Sequence, residues 1–336
     1  LMGFKIKNYR SFNKLQHFSM LAGKVRNNEN HIVEMSKHKI LKFSGMFGPN
    51  GSGKSNLILA MSLVQSIIND GIDTIINNQY FRGKNNTPNK DSYFEYEIAI
   101  NEKMYSYGFE ININKKTIVS EWLIDMTKTT EKIIFERDTK KGIINSDLKP
   151  KNDYFNVCLL EMKNNTKELF IKEMTRRLFM SNNTDSFFKD IKSVFKFLIF
   201  DTIIIRPTAH KLFDIDYIKK KDKILKILAA LDINIIDIVP EDCDIKKIEN
   251  KLSTEVFNDI KKDFDLLAQK DRDAQLTLRI ENDLYIISKD KNDEYSIQSL
   301  KFVHANTNEL FGAFDESDGT IRILELIDIL ISQDKL

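Results

Sequence analysis

Only two cysteines occur in 336 residues, Cys158 and Cys243, and they stand far apart with no C-x-x-C or Cys/His spacing. They support neither a disulfide framework nor a zinc site. The five histidines, His17, His31, His38, His210 and His304, show no metal-like spacing either, and surface or packing roles are expected for them. His210, shortly after Arg206 and Pro207, is the one singled out as an effector or lid contact. Long apolar runs are also missing. FKFLIF at 195–200 and ILELIDILI at 323–331 are short or broken by charge, and the N-terminus carries no signal-peptide pattern, so no membrane is expected. Nor is there an excess of one charge: 51 Lys and Arg against 49 Asp and Glu leave +2, too little to draw the whole chain onto nucleic acid. A reducing, cytoplasmic compartment fits these absences.

What is present is an ordinary folding composition, 42% apolar and 30% charged. The length allows two domains of about 150 residues, or one α/β unit with a large insertion. FKIKNYRSF at the start reads as a half-exposed strand, and ILKFSGMF at 40–47 as a more buried one. A glycine-rich loop follows, then a helix from Lys54 to about Asn69 in which Leu57, Met61, Leu63 and Ile67 recur near helical spacing. From Tyr93 the period falls to two through Phe94, Tyr96, Ile98 and Ile100, then Tyr105, Tyr107, Phe109, Ile111 and Ile113. With TIVSEWLI and KIIFER this predicts an antiparallel meander. Residues 152–270 read as mostly helical, with DTIIIRP at 201–207 extended up to Pro207. The lysine-rich helices there are expected to show solvated faces, not a DNA-binding surface. After Asp273 strand-like alternation returns, and FDESDGTIRILELIDILI reads as a loop followed by a helix. Three regions are expected: a nucleotide-binding lobe over 1–150, a helical insertion over 151–272, and a return to the core over 273–336.

Gly48-Pro49-Asn50-Gly51-Ser52-Gly53-Lys54-Ser55 satisfies G-x-x-x-x-G-K-[ST] between a predicted strand and a predicted helix. Glycines let the backbone curl into a nest of N–H groups that point at phosphate oxygens, above the positive end of the helix dipole. Lys54 is expected to bridge the β- and γ-phosphates of ATP, Ser55 to hold Mg²⁺, and Asn56 to continue the binding segment. Hydrolysis also needs an acidic residue for the metal and a group that positions water. FLIFD, ending at Asp201, has the apolar-run-plus-aspartate shape of a Walker B strand, but Thr202 follows where a glutamate is expected, and the run lies within the helical middle, where buried segments often end this way. Glu316-Ser317-Asp318-Gly319-Thr320-Ile321-Arg322 precedes an apolar helix; its hydroxyl and free N–H groups form a second anion-binding device or a plain N-cap.

In this order, FKIKNYRSF, ILKFSGMFGPNGSGKSN, TIVSEWL and ESDGTIR resemble ABC-type ATPase heads of the OLD and abortive-infection kind, relatives of the SMC and RecF proteins. The resemblance runs from end to end, and its sharp parts are the phosphate loop and ESDGT. It implies an α/β P-loop NTPase of ABC-ATPase head type, with an antiparallel β meander and a mostly helical inserted lobe. It further implies a homodimer or higher homo-oligomer in which two heads sandwich ATP. Ser317, Asp318, Gly319 and Thr320 of one copy then meet the γ-phosphate held by Gly53, Lys54 and Ser55 of the other, with Lys54 and Ser317 as catalytic groups. Arg10 and Ser11 are the residues expected to pack near the nucleotide. The family's Walker B strand, D-loop and switch histidine follow the signature helix, whereas about fourteen residues follow Arg322 here. Those groups are therefore expected beyond Leu336, and the 336-residue chain alone is expected to bind ATP weakly without turnover.

The function implied is an ATPase sensor or scaffold of an anti-phage, abortive-infection system coupled to a nuclease or toxin effector. A RecF- or SMC-like role on DNA is the alternative, weakened by the spacing of about 260 residues between loop and signature, too short for a long coiled coil. A protein that uses ATP for assembly without hydrolysing it is another.

Overall fold

Strand period two explains the first element, β1 (Gly3–Lys7), whose Phe4 and Ile6 are fully buried while Lys7 is exposed. β2 (Gln16–Ser19) pairs with it, and β3 (Ile32–Met35) and β4 (His38–Leu41) form a separate two-stranded sheet. The helix after the loop is α1 (Lys54–Asp70). The meander then builds β5 (Ser92–Ile100), β6 (Lys103–Asn112), β7 (Thr117–Asp125), β8 (Lys132–Asp138) and the short β9 (Ile143–Asn145). The computed structural model describes residues 1–24, 29–35, 38–83, 89–147, 153–180, 188–204, 220–244, 248, 251, 254–268, 274–280, 283–290, 293–305, 307 and 309–332. They divide into two units, Leu1–Ile205 and Arg206–Leu336.

In the first unit the described strands join in the order β2–β1–β5–β6–β7–β8–β9, antiparallel where they pair. One face carries Phe4, Ile6, Phe94, Tyr96 and Ile98, and α1 shares that core. Leu57, Ala60, Met61, Val64, Ile67 and Ile68 recur every three or four residues, the spacing that gives a helix one apolar stripe. Each such side chain contributes about 1.5–3 kcal/mol when fully buried. α2 (Asp153–Met162), α3 (Phe170–Met180) and α4 (Lys189–Lys196) enter the same core through Phe155, Phe170, Ile171 and Ile191.

On the other face of the meander Trp122, the sole tryptophan, lies against Gly108. A Cβ at position 108 would stand 2.4 Å from the indole and 2.7 Å from the Phe94 carbonyl oxygen, a backbone atom that cannot swing away. Gly108→Ala is therefore expected to destabilise the first unit by about 1–3 kcal/mol, read as an earlier urea midpoint in Trp122 emission.

The second unit comprises α5 (Lys221–Ala230), β10 (Ile235–Asp242), α6 (Thr254–Ala268), β11 (Leu276–Ile280), β12 (Asp283–Lys289), β13 (Tyr295–His304), β14 (Leu310–Phe311) and α7 (Asp318–Ser332). Its described sheet runs β10–β13–β12–β11, with β14 also on β13. Alternate residues of β12 serve two cores. Leu284 and Ile286 meet α5 and α7 through Leu228, Leu324 and Ile327, whereas Tyr285 and Ile287 meet α6 through Phe257 and Phe264.

The sequence reading departs from this fold at two places, 40–47 and 235–242. Within 40–47 only Ile40 and Leu41 belong to a strand, and Phe43 and Phe47 are 77% and 94% exposed. FLIFD at 197–201, within the stretch read as helical, is a π-helical extension of α4 and not the Walker B strand whose shape it shares. Gln65 Nε2 holds it there by donating to the Leu198 and Thr202 carbonyls at 2.7 Å each, and Asp201 faces solvent beside Lys196 at 3.7 Å. Residues 235–242, inside the stretch read as mostly helical, form β10, because the apolar pair Ile235 and Ile238 is buried against β13. The helices of 151–272 are thereby shared between the two units. No described helix is long and apolar enough to cross a membrane.

Candidate functional site

The loop from Gly48 to Gly53 needs two left-handed residues, Gly51 at φ 79° and Gly53 at φ 98°, a conformation that glycine adopts without steric cost. Gly53 is also crowded, because a Cβ there would stand 2.8 Å from the Ser11 hydroxyl. Ser11 reaches this point through a tight turn in which Tyr9 N donates to Phe12 O at 3.0 Å and Phe12 N to Tyr9 O at 2.8 Å. Asn8 and Arg10 bend that turn with φ of 52° and 47°. The Ser11 hydroxyl accepts from Asn56 Nδ2 at 2.9 Å, so the end of β1 braces the first turn of α1.

α1 starts without a side-chain cap, and its first bond runs from Leu57 N to Gly53 O at 3.1 Å. The N–H groups of Gly53, Lys54, Ser55 and Asn56 therefore find no acceptor among the described residues. Open donors at the positive end of a helix dipole suit an anion. Lys54 folds back on its own loop, donating from Nζ to Gly48 O at 2.6 Å and Pro49 O at 2.8 Å, with Ser52 Oγ at 3.5 Å. These are neutral acceptors that phosphate oxygens can replace with stronger, charge-assisted bonds. Ser55 is exposed and its hydroxyl bonds nothing among the described residues, leaving it open to a cation. Beside the loop opens a cavity of about 370 Å³ lined by Phe12, His17, Phe18, Phe47 and Lys54 among others.

These open donors suit a phosphate group, and a comparison with protein families gives the family of the chain. The family described as "AAA domain, putative AbiEii toxin, Type IV TA system" matches residues 43–336. The chain belongs to this family. No curated protein and no solved structure matches it. Membership of an AAA-domain family makes the chain a P-loop NTPase of abortive-infection type with a mixed α/β fold, ATP and Mg²⁺ being the general ligands of such domains.

In the second unit of this AAA-family chain, Ser317 caps α7. Its Oγ accepts from Thr320 N at 3.1 Å and lies 3.0 Å from Thr320 Oγ1, while Ile321 N bonds Ser317 O at 3.0 Å. Ser317, Asp318 and Gly319 are exposed, and a Cβ on Gly319 would meet only Ser317 Oγ, at an ordinary 3.6 Å. Packing within the unit thus leaves position 319 open. Ser317→Ala removes the cap, and a loss of about 1 kcal/mol is expected, measured by thermal melting of the second unit.

Three features of these sites escape sequence reasoning. Arg10 and Ser11 were expected near the nucleotide, and Ser11 does touch the loop; the brace from Asn56 depends on a turn that no motif announces. Glu316, immediately before Ser317, is nearly buried and sits 2.6 Å from His304 Nε2, whose ring packs edge-on to Phe311. His17, for which a surface or packing role is expected, pairs with Glu97 at 3.1 Å, a partner the sequence does not announce. Asp201 is on the rim of a helix, as described, while Arg206, Pro207 and His210 lie outside the described residues. No group of three or more His, Cys, Asp or Glu placed to hold a metal occurs among the described residues.

Proposed function

We propose that the chain is the ATP-binding head of an ABC-type ATPase of the OLD kind, serving an abortive-infection defence as sensor or scaffold for a nuclease or toxin effector. The observation that carries this is the cradle: four consecutive unpaired N–H groups at the start of α1, under a lysine bonded only within its own loop. Those donors and Lys54 bind the phosphates, and Ser55 offers its hydroxyl to Mg²⁺. The metal supplies charge neutralisation on the phosphate oxygens. Ser317 to Thr320 of a second copy present a hydroxyl and helix N-terminal N–H groups to the outermost phosphate, so that ATP joins two heads. Closure of the pair then biases the effector between two states, as a ligand does when it binds one state better than the other.

Size-exclusion chromatography with light scattering tests the pairing. Wild-type protein is expected to shift from monomer to dimer on adding ATP and Mg²⁺, and Gly319→Arg to bind ATP yet stay monomeric. A Gly319→Arg variant that dimerises like wild type would remove Ser317 to Thr320 from the interface. Equal function of the assembled system with ATP and with a non-hydrolysable analogue would favour the reading in which ATP only holds the subunits together.

A further inference from the structure

Glu316, the residue immediately before Ser317, turns inward while its neighbours Asp315 and Ser317 face solvent. Its side chain is 5% exposed, and Oε1 lies 2.6 Å from Nε2 of His304, the last residue of β13. An ionised carboxylate only accepts, so the imidazole nitrogen is the donor. Burying a carboxylate is costly unless such a partner meets it. The partner is itself fixed. His304 stands opposite Ile235 of β10, the next residue's N–H donates to Asn234 O at 3.1 Å, and the ring packs edge-on to Phe311 of β14 at 5.1 Å.

The pair ties the entry of α7 to the sheet. Between β14 and Glu316 the chain makes one tight turn, in which Gly312 N donates to Asp315 Oδ2 at 2.7 Å and Glu316 N to Ala313 O at 3.3 Å. Beyond it, Ser317 is joined to the helix through Thr320 N and Ile321 N. Ile321, Leu324 and Ile327 press α7 into the core, but apolar contact is non-directional and leaves the heading of the first turn open. A buried ion pair adds little net stability over apolar side chains of similar volume. What a short charged hydrogen bond adds is direction.

We propose that His304 is a positioning residue for head pairing: through Glu316 it aims the Ser317–Thr320 segment at the phosphate held by the facing copy. The proposal rests on the ATP-joined pairing set out above, and it assigns His304 no contact with the nucleotide.

Light scattering with ATP and Mg²⁺, well below the melting temperature, tests this with three variants beside wild type. His304→Leu should weaken ATP-driven pairing about tenfold, the worth of one charged hydrogen bond, with the ATP affinity of the monomer unchanged. His304→Gln, whose amide nitrogen takes the place of Nε2, should restore most of the pairing. The double variant His304→Leu/Glu316→Met fills the same space without charge; it should regain the melting temperature that His304→Leu loses and still pair weakly. Wild-type pairing in the double variant would mark a merely structural pair and overturn the inference, as would unchanged pairing in His304→Leu. Where His304→Leu fails to fold, the double variant decides. Wild-type protein that binds ATP and stays monomeric overturns the pairing reading, and this inference with it.

Discussion

Glu121→Ala is expected to lower the unfolding free energy of the first unit by about 3–5 kcal/mol, and Arg137→Ala to do the same, because each leaves a buried charge without its partner. Both side chains are completely buried, with Arg137 Nη2 2.8 Å from Glu121 Oε2. Arg137 makes four hydrogen bonds, from Nε to Glu121 Oε2 at 2.9 Å, from Nη1 to the carbonyls of Met162 and Asn165 at 2.9 Å, and from Nη2 to Glu168 O, and its Nη2 also pairs with the Glu121 carboxylate. Glu121 in turn accepts from Phe170 N at 2.6 Å, Ile171 N at 3.0 Å and the Tyr107 hydroxyl at 3.2 Å. Burial first, then the Glu121 carboxylate, push the Tyr107 phenol well above its ordinary value, so it remains a donor. The pair thus joins β7 and β8 to the turn before α3, and places a carboxylate at the positive end of that helix. Urea unfolding followed by Trp122 fluorescence checks this, since the only tryptophan lies in this unit. The double variant Glu121→Leu/Arg137→Met should lose less than the two alanine losses summed. A loss below about 1 kcal/mol for either alanine variant, the worth of an exposed pair, would contradict the argument.

Lys54→Ala should weaken ATP binding about a hundredfold, since its ammonium is expected to bond two phosphate groups and a charged hydrogen bond is worth about 1.5–3 kcal/mol. The same change should leave the melting temperature nearly unaltered, because Lys54 bonds only within its own exposed loop. A Kd within threefold of wild type would remove Lys54 from the phosphate site. Gly53→Ala should lose binding as well, for a different reason: its backbone at φ 98° and the Ser11 hydroxyl 2.8 Å from a new Cβ together forbid the loop geometry.

Much of the fold is legible because its signals are local. The period-two runs from Phe94 to Ile113 become β5 and β6, and the spacing of Leu57, Met61 and Ile67 becomes the buried stripe of α1. The ladder QLTLRI, LYIISK and YSIQSLKFV becomes β11, β12 and β13. FLIFD has the shape of a Walker B strand but no period of its own; it is helical, as the reading of its surroundings has it, and two bonds from Gln65, more than 130 positions earlier in the chain, hold it so. IIDIVPED misleads because it lies in a stretch read as mostly helical. Its strand exists through pairing with β13, about sixty residues later.

The sequence by itself determined the phosphate loop, the meander and the cap before α7, because each depends on residue types within a dozen positions: glycines that permit φ above zero, alternation that matches the pleat, a serine before a helix. Only the tertiary structure decided which distant groups meet. It set Ser11 against Gly53, closed Glu121 on Arg137 and placed Glu316 on His304. Such meetings depend on strand order and turn geometry summed over the whole unit, and hydrogen bonds across 16 to 50 residues leave no period in the chain to read.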